Sequence, residues 1–402
     1  MLSLRAVVLL SLFIKISILV IYNVISVDPS FHYFQNDGVL HDDEKYFRTI
    51  LSYIENASGL WDWEQLKSSS LMSGHNMAGR DGLWFIIISV LGKLTTSALS
   101  VQLLNIFLST MSIVYLFKLS EKLFNVDVAK LAIIFVGFNP YISIFSIFPY
   151  KDNLVQVLFL MIFYELVKGF INNRFKISSI LLVIFLIAII GQLRSGLDYI
   201  ALVILSVFYL KNIKSTSLKI FIYCFIVAGA VFILQKFSGQ MDLVPRVLGI
   251  VKFYILQDRM EGLGSLLRID SLGKLFLLPL TMMFTFSSPF MTSVVENISS
   301  WYDIATLLNT LYLPLYVLGL FKIFEDMIRR NNINRIITFF IFSVASLVAI
   351  ISFGIFRHAY FFIPFILMYS ASAMVKYGNV LNIAFFTVFY CFLVLIFVLR
   401  II

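Results

Sequence analysis

Charged residues are scarce in this chain, and several common functional motifs are missing from it. Only 13% of the 402 residues are charged, whereas about a quarter is usual for a soluble domain. The sequence contains no phosphate-binding loop, no glycine-rich dinucleotide motif and no Cys/His cluster with the spacing of zinc ligands. Nucleotide-driven pumping and dinucleotide chemistry therefore have no support. The two cysteines, Cys224 and Cys391, lie inside apolar stretches, so we expect no disulfide.

Apolar residues take the place of the missing charges. They make up 60% of the chain, and the mean hydropathy is +0.95. Such a chain has too little polar surface to cover a globule in water, so it needs a bilayer as its solvent. The apolar runs do not alternate as they do in an outer-membrane barrel. The sequence predicts an all-α, polytopic membrane protein that forms a single transmembrane domain over residues 1–402, with about ten or eleven spanning helices.

The predicted spans have the length that a bilayer requires, close to 20 residues each. They are 5–26, 98–118, 129–148, 153–170, 177–193, 196–211, 219–238, 304–324, 335–355, 359–375 and 380–400. Two further apolar stretches, 83–97 and 274–290, are predicted to be interfacial or partly inserted helices. The first span has no clear cleavage site after it, so we expect it to be retained and to double as the signal.

Lysine and arginine are concentrated in the short loops on one side of this topology. These loops lie at 118–130, 168–176, 211–219 and 322–335 and around Lys376. Short loops that are rich in lysine and arginine stay in the cytoplasm. Because these loops lie on the same side as the N-terminus, the sequence predicts a cytoplasmic N-terminus. The opposite side then carries two long loops, 27–97 with its interfacial helices and 239–303. Loops of this length usually carry function, which predicts a functional site on the outer face.

Three consecutive acids, Asp42, Asp43 and Glu44, follow the first span. They open a stretch, 43–56, whose apolar residues have helical spacing. One explanation is that Asp42 or Asp43 caps this helix, because carboxylates are favoured at a helix N-terminus. A cap needs only one acid, however, so the cluster also fits a general base that activates a hydroxyl group. Both explanations stay open.

A lysine and an acid, Lys151 and Asp152, lie in a tight turn between two predicted spans on the same outer face. An ion pair at membrane depth is costly unless it is used. The alternative is an interfacial turn whose lysine reaches towards the headgroups.

Three further basic motifs fall on this face. Arg194 lies in a tight turn between two glycines, where it could approach a phosphate closely. Arg357 and His358 begin a late helix, and arginine binds phosphate with two parallel hydrogen bonds. The alternative for both sites is an anchor at the lipid headgroups. Arg80, before the first interfacial helix, is a weaker candidate.

The order of these motifs resembles that of the C-type integral-membrane glycosyltransferases, which include protein O-mannosyltransferases and the lipid A aminoarabinose transferase. That superfamily has an acidic motif Asp-Glu-x-Tyr after the first helix, a helix hairpin with an outer Asp, a fifth helix ending in Gly and a basic residue, and a late Arg-Tyr-x-x-x-Pro pattern. The matching residues here are, in order, Asp43-Glu44-Lys45-Tyr46, Tyr150-Lys151-Asp152, Gly191 to Arg194, and Arg357-His358-Ala359-Tyr360 with Pro364. His358 replaces the usual aromatic residue. The resemblance covers residues 1–210 well and the rest loosely.

The resemblance implies an inverting glycosyltransferase of the bacterial inner membrane whose active site faces the periplasm or the exterior. It would move a sugar from a polyprenyl-phosphate donor to a glycan, lipid or protein acceptor, in the synthesis of cell-surface polysaccharide or glycoconjugate. Asp43, or alternatively Asp42, would be the base, and Asp152 would support the acceptor or the base. The substrate-binding residues would be Glu44, Tyr46, Arg80, Lys151, Arg194, Arg357 and His358. No metal ligands and no nucleic acid are implied, and a role for a divalent cation stays open.

Two other classes of protein are compatible with the same topology. A polymerase or ligase for O-antigen or capsule polysaccharide also has large outer loops and acts on undecaprenyl-linked saccharides. The early Asp-Glu-x-Tyr motif favours the transferase over this alternative. A transporter or flippase would place charges and helix breaks near the bilayer midplane, whereas the notable charges here lie at one face.

Overall fold

The structure, a computed structural model, describes most of the chain. The described residues are 2–25, 42–72, 82–172, 176–193, 301–328 and 360–401, with short helical pieces at 274, 277–278, 280–282, 338–339, 341–343 and 345–346. Within these ranges every regular element is a helix. The predicted all-α class is confirmed.

Twelve α-helices account for nearly all of the described residues. They are α1 (Leu4–Ile25), α2 (Asp42–Asn56), α3 (Trp63–Met72), α4 (Gly82–Thr95), α5 (Leu99–Leu123), α6 (Val126–Gly137), α7 (Pro140–Phe145), α8 (Asp152–Ile171), α9 (Ile177–Leu193), α10 (Trp301–Asn309), α11 (Leu313–Ile328) and α12 (Ile363–Ile401). Two 3₁₀ turns, Thr310–Tyr312 and Tyr360–Phe362, precede α11 and α12.

Five stretches in the described part are long and apolar enough to cross a membrane. They are Leu4–Val24, Leu99–Leu123, Asp152–Ile171, Asp303–Ile328 and Tyr360–Gly378. Each overlaps a span predicted from the sequence, and the chain is a polytopic membrane protein. The predicted spans 196–211 and 219–238 and most of 335–355 lie outside the described residues, as does most of 274–290. The total of ten or eleven spans therefore stays a prediction.

The predicted span 129–148 is wrong as a single helix, because the chain breaks in its middle. Helix α6 ends at Gly137 and α7 begins at Pro140. A residue that precedes proline is disfavoured in helical conformation, and Asn139 has extended backbone angles, φ −65° and ψ 120°. Its Oδ1 accepts a hydrogen bond of 2.8 Å from the Ile142 backbone N–H, and its Nδ2 donates one of 2.9 Å to the Tyr316 hydroxyl. A broken backbone is tolerated at membrane depth when protein groups satisfy it in this way.

The last two predicted spans, 359–375 and 380–400, are also joined differently from the prediction. No loop separates them, because helical backbone continues on both sides of Gly378. Gly378 has φ 77° and ψ 172°, a conformation open to glycine and costly for other residues. One glycine therefore makes the joint that the sequence analysis assigned to a basic loop around Lys376.

Helix α5 lies at the centre of the described bundle, in contact with α1, α4, α6, α8 and α12. It runs in the same direction as α8. Near the start of both helices the Asn105 side chain donates to the Phe148 carbonyl, and further along the rings of Tyr115 and Tyr164 meet with centroids 6.3 Å apart. Lys118 lies over the Tyr164 ring from α5. The lysines that end α5 and α8 therefore share the end of the bundle opposite Asp152.

Candidate functional site

The acidic cluster lies in the first turn of α2. The helix starts at Asp42 and has Tyr46, Ile50 and Tyr53 on its buried face, which confirms the predicted helix over 43–56. The backbones of Asp42, Asp43 and Glu44 belong to this turn, while their side chains lie outside the described part. A position inside the first turn differs from the predicted cap, which precedes the helix. Carboxylates there still gain about 0.3–1 kcal/mol from the helix dipole.

Helix α4 holds α2 in place from one side. The Lys93 ammonium donates to the carbonyl oxygens of Ile54 and Ala57 at 2.8 and 2.7 Å. These carbonyls end α2 and have no partner within the helix, so a cation suits them. A Cβ atom on Gly92 would lie 2.7 Å from Ile50 Cγ2, so the two helices approach closely at that glycine. The stretch 83–97, predicted as an interfacial helix, is thus a helix that supports the acidic motif.

Two of the predicted motifs meet next to α4. The Trp84 indole N–H of α4 donates a buried hydrogen bond of 2.8 Å to the Pro149 carbonyl, in the turn that precedes Asp152. Tyr46, two residues after the acids, packs between Phe85 and Tyr150, with ring centroids 5.3 and 6.2 Å away. The acidic motif and the Tyr150-Lys151-Asp152 turn are therefore neighbours, although about a hundred residues separate them in the sequence.

Asp152 is the first residue of α8 and is almost fully buried, with 1% of its surface exposed. The positive end of the helix dipole favours a carboxylate at this position. Lys151, immediately before it, is partly exposed. A buried carboxylate beside a partly exposed lysine fits a binding site that opens at this end of the bundle.

Tyr360 brings the fourth motif to the same place. Its hydroxyl donates a hydrogen bond of 2.6 Å to Asn153 Oδ1, and its backbone carbonyl accepts one of 3.0 Å from Gln156 Nε2. The centroid of its ring lies 4.4 Å from that of Phe145. Tyr360 follows Arg357 and His358 directly in sequence, and those two residues lie outside the described part.

The remaining predicted residues are not described either. Arg80 precedes α4, and Arg194 follows the last residue of α9, Leu193. Helices α8 and α9 pack against each other, and only five residues separate them in the sequence. Because they must run in opposite directions, α9 ends at the same end of the bundle as Asp152.

Sequence reasoning missed several polar residues of this site. Lys15 is fully buried in the middle of α1 and donates a hydrogen bond of 2.8 Å to Ser109 Oγ. Ser109 lies one turn along α5 from Asn105, whose side chain bonds to the Phe148 carbonyl. Asn153 and Gln156 complete the group. The signals in the sequence are a lysine inside an apolar run and two amides, three residues apart, in the first turns of α8 after Asp152, but neither signal shows which neighbours these side chains contact.

No group of three or more His, Cys, Asp or Glu side chains that could hold a metal ion occurs among the described residues. The side chains of Asp42, Asp43 and Glu44 are outside that search, so the role of a divalent cation is still open.

No protein-family model and no curated protein sequence matches this chain. The class that the fold defines is a polytopic, all-α membrane protein with a buried polar and aromatic site at one end of its bundle.

Proposed function

We propose that the protein is an integral-membrane glycosyltransferase that moves a sugar from a polyprenyl-phosphate carrier to an acceptor hydroxyl. The observation that carries the proposal is the contact of Tyr46 with Tyr150. It makes the acidic motif and the Lys151–Asp152 turn neighbours, which supports a site where a base and a second carboxylate act beside one hydrophobic bundle. A lipid-linked sugar needs such a site, because its carrier stays in the bilayer while its sugar reaches the polar end.

The chemistry follows from the groups that surround the reacting atoms. The Asp43 carboxylate takes the proton of the acceptor hydroxyl as its oxygen attacks the anomeric carbon. The new glycosidic bond forms on one face of the sugar while the bond to the phosphate oxygen breaks on the other, so the configuration inverts. The carrier phosphate leaves with the bonding electrons, and Arg194 and Arg357 stabilise its charge. Asp152 holds the acceptor or orients the base.

The proposal includes a location and an orientation. The protein resides in the inner membrane of a bacterium with its N-terminus in the cytoplasm. The end of the bundle that carries Lys118 and Lys168 faces the cytoplasm, as the positive-inside rule requires. The site at Asp152 then faces the periplasm or the exterior.

The decisive experiment removes the charge of each acid separately, in Asp43→Asn and Asp42→Asn. A lost general base lowers turnover roughly a hundred- to ten-thousand-fold, whereas loss of a dipole interaction costs at most about 1 kcal/mol of stability. Turnover of the native lipid-linked sugar is measured in a knockout strain that carries each variant, together with the amount of protein in the membrane. One added sugar per acceptor identifies a transferase, and a ladder of longer glycans identifies a polymerase.

Asp62, which caps α3, is the matched control. Its Oδ1 accepts a hydrogen bond of 3.0 Å from the Gln65 N–H, and its Oδ2 accepts bonds from the N–H and the hydroxyl of Ser58. The backbone bonds from Ser58 and Gln65 hold the pKa of Asp62 below its usual value. Asn caps about as well as Asp, so Asp62→Asn should leave turnover near normal. Near-normal turnover in both Asp42→Asn and Asp43→Asn, at normal abundance, would remove the main support for the transferase.

A transporter is a second candidate, favoured by one pair of observations. Lys15 is buried in the middle of α1, and the chain breaks between α6 and α7. Transporters use broken helices and buried charges near the midplane. The break at Asn139 is fully hydrogen-bonded, however, which is sufficient reason for a structural role. Movement of a lipid-linked sugar across proteoliposomes without any transfer to an acceptor would favour the transporter.

A further inference from the structure

Four buried carboxamides lie on α5 and α8, the two helices in contact at the centre of the bundle. Gln102 and Asn105 are three residues apart on α5, and Asn153 and Gln156 are three apart on α8, so each pair shares one helix face. Gln102 is 3% exposed and the other three are fully buried. Amides without partners are costly in a membrane bundle. Four of them on two packed helices therefore call for a physical reason.

In three of these four amide groups, one of the two polar atoms is hydrogen-bonded to the protein. Asn105 donates to the Phe148 carbonyl, and Gln156 donates to the Tyr360 carbonyl. Asn153 accepts from the Tyr360 hydroxyl. These bonds assign the amide orientation, because a bound nitrogen or oxygen defines the other end. The opposite atoms, Asn105 Oδ1, Gln156 Oε1 and Asn153 Nδ2, are buried and have no hydrogen-bond partner.

Gln102 adds a fourth unpaired atom. Its Nε2 is buried without a partner, and it makes no hydrogen bond in the described part of the chain. The four amides thus present one donor on Asn153, two acceptors on Asn105 and Gln156, and on Gln102 an amide end whose orientation no hydrogen bond fixes. A phosphate group only accepts hydrogen bonds, so it would leave the acceptors on Asn105 and Gln156 unpaired. A hydroxyl group donates and accepts at once, so several hydroxyls on one ligand match this set.

The charges around the amides balance each other. Lys15 donates a hydrogen bond to Ser109, one turn along α5 from Asn105, and Asp152 directly precedes Asn153 on α8. One basic and one acidic side chain beside the amides favour a ligand without net charge at this point. The buried rings of Phe145 and Tyr360 lie next to the amides, with their centroids 4.4 Å apart, and form an apolar wall beside them.

We propose that Gln102, Asn105, Asn153 and Gln156 form the binding site for the hydroxyl groups of an uncharged hexose, the sugar carried by the lipid-linked donor. The choice of a lipid-linked sugar rests on the proposed function. The binding site itself rests on the four amides and can be tested without any transfer reaction.

The test measures the affinity of the full-length protein in lipid nanodiscs for undecaprenyl phosphate alone and for undecaprenyl phosphate that carries glucose, galactose, mannose or N-acetylglucosamine. At least one hexose should bind more tightly than the bare carrier. Gln102→Met and Asn153→Leu keep the number and branching of the side-chain heavy atoms and remove the amide's donor and acceptor; Asn153→Leu also removes the bond from the Tyr360 hydroxyl. Each should reduce the advantage of the hexose roughly two- to tenfold, the value of one hydrogen bond, and leave the affinity for the bare carrier unchanged.

The melting temperature of the protein without ligand provides a second measurement. Gln102 makes no bond in the absence of ligand, so Gln102→Met should raise the melting temperature while it weakens sugar binding. Ser120→Ala is the matched control, since Ser120 Oγ is another buried, unpartnered atom of α5, at the opposite end of the helix. It should leave sugar binding unchanged.

Three results would overturn the proposal. They are an equal hexose advantage in the wild type and both amide variants, no hexose advantage in the wild type, and a lower melting temperature of empty Gln102→Met. The proposed function has its own readout, transfer to an acceptor. Hexose binding that depends on the amides but leads to no transfer would sustain the sugar site and refute the transferase.

Discussion

Loss of the Lys93 ammonium should loosen the helix that carries the acidic motif. In Lys93→Met the side chain keeps its length but loses its hydrogen bonds to the carbonyls of Ile54 and Ala57. A hydrogen bond to a charged group contributes about 1.5–3 kcal/mol. Lys93 is partly exposed, so water replaces some of this interaction and about 1.5–3 kcal/mol is a fair total for both bonds.

The effect should appear as local opening at the end of α2. Every 1.4 kcal/mol changes an equilibrium tenfold, so the amide hydrogens of residues 53–57 should exchange roughly 10- to 150-fold faster in Lys93→Met. Hydrogen exchange with mass spectrometry of the protein in nanodiscs measures this. Since Tyr46 lies on the same helix and packs on Tyr150, turnover should also fall more than abundance in the membrane.

Lys67→Met is the control for the loss of a lysine from the same outer segment. Lys67 pairs with Glu64 at 3.3 Å, but 48% and 85% of their side chains are exposed. Such a pair contributes less than about 1 kcal/mol, so exchange should change less than about fivefold. If the two variants gave equal exchange rates in residues 53–57, Lys93 would not hold α2 and the reasoning would be wrong.

Three further predictions test the site, the orientation and the packing. Arg194→Ala and Arg357→Ala should sharply weaken donor use, and Arg→Lys should restore it only partly because the planar fork is lost; full activity in both alanine variants would leave these residues as headgroup anchors. In intact cells an impermeant thiol reagent should label Ser70→Cys and spare Asn332→Cys, and the reverse pattern would refute the orientation. Gly319→Ala should cost about 1–3 kcal/mol, measured as thermal unfolding, since a Cβ there would overlap the backbone of α12; an unchanged melting temperature would contradict that packing.

The local elements of the site were predictable from the sequence, whereas their contacts were not. The helix over 43–56 and the tight turn at Lys151 and Asp152 follow from periodicity and from neighbouring residues in the chain. The contact of Tyr46 with Tyr150 depends on α4, whose Phe85 packs on Tyr46 and whose Trp84 bonds to the Pro149 carbonyl beside Tyr150. No pattern within either motif encodes that packing. The four amides were missed for the same reason, because an amide in an apolar run does not reveal whether a neighbour satisfies it.

The sequence by itself determined that the protein is helical and spans a membrane, because the scarcity of charge and the length of the apolar runs are properties of the chain alone. It also determined which loops are basic. Only the tertiary structure decided where the helices break. Asn139 stops one helix with the help of Tyr316, and Gly378 joins two others with a positive φ. Hydropathy cannot locate such points, since a broken helix in a membrane survives only where other parts of the protein satisfy its backbone and side chains.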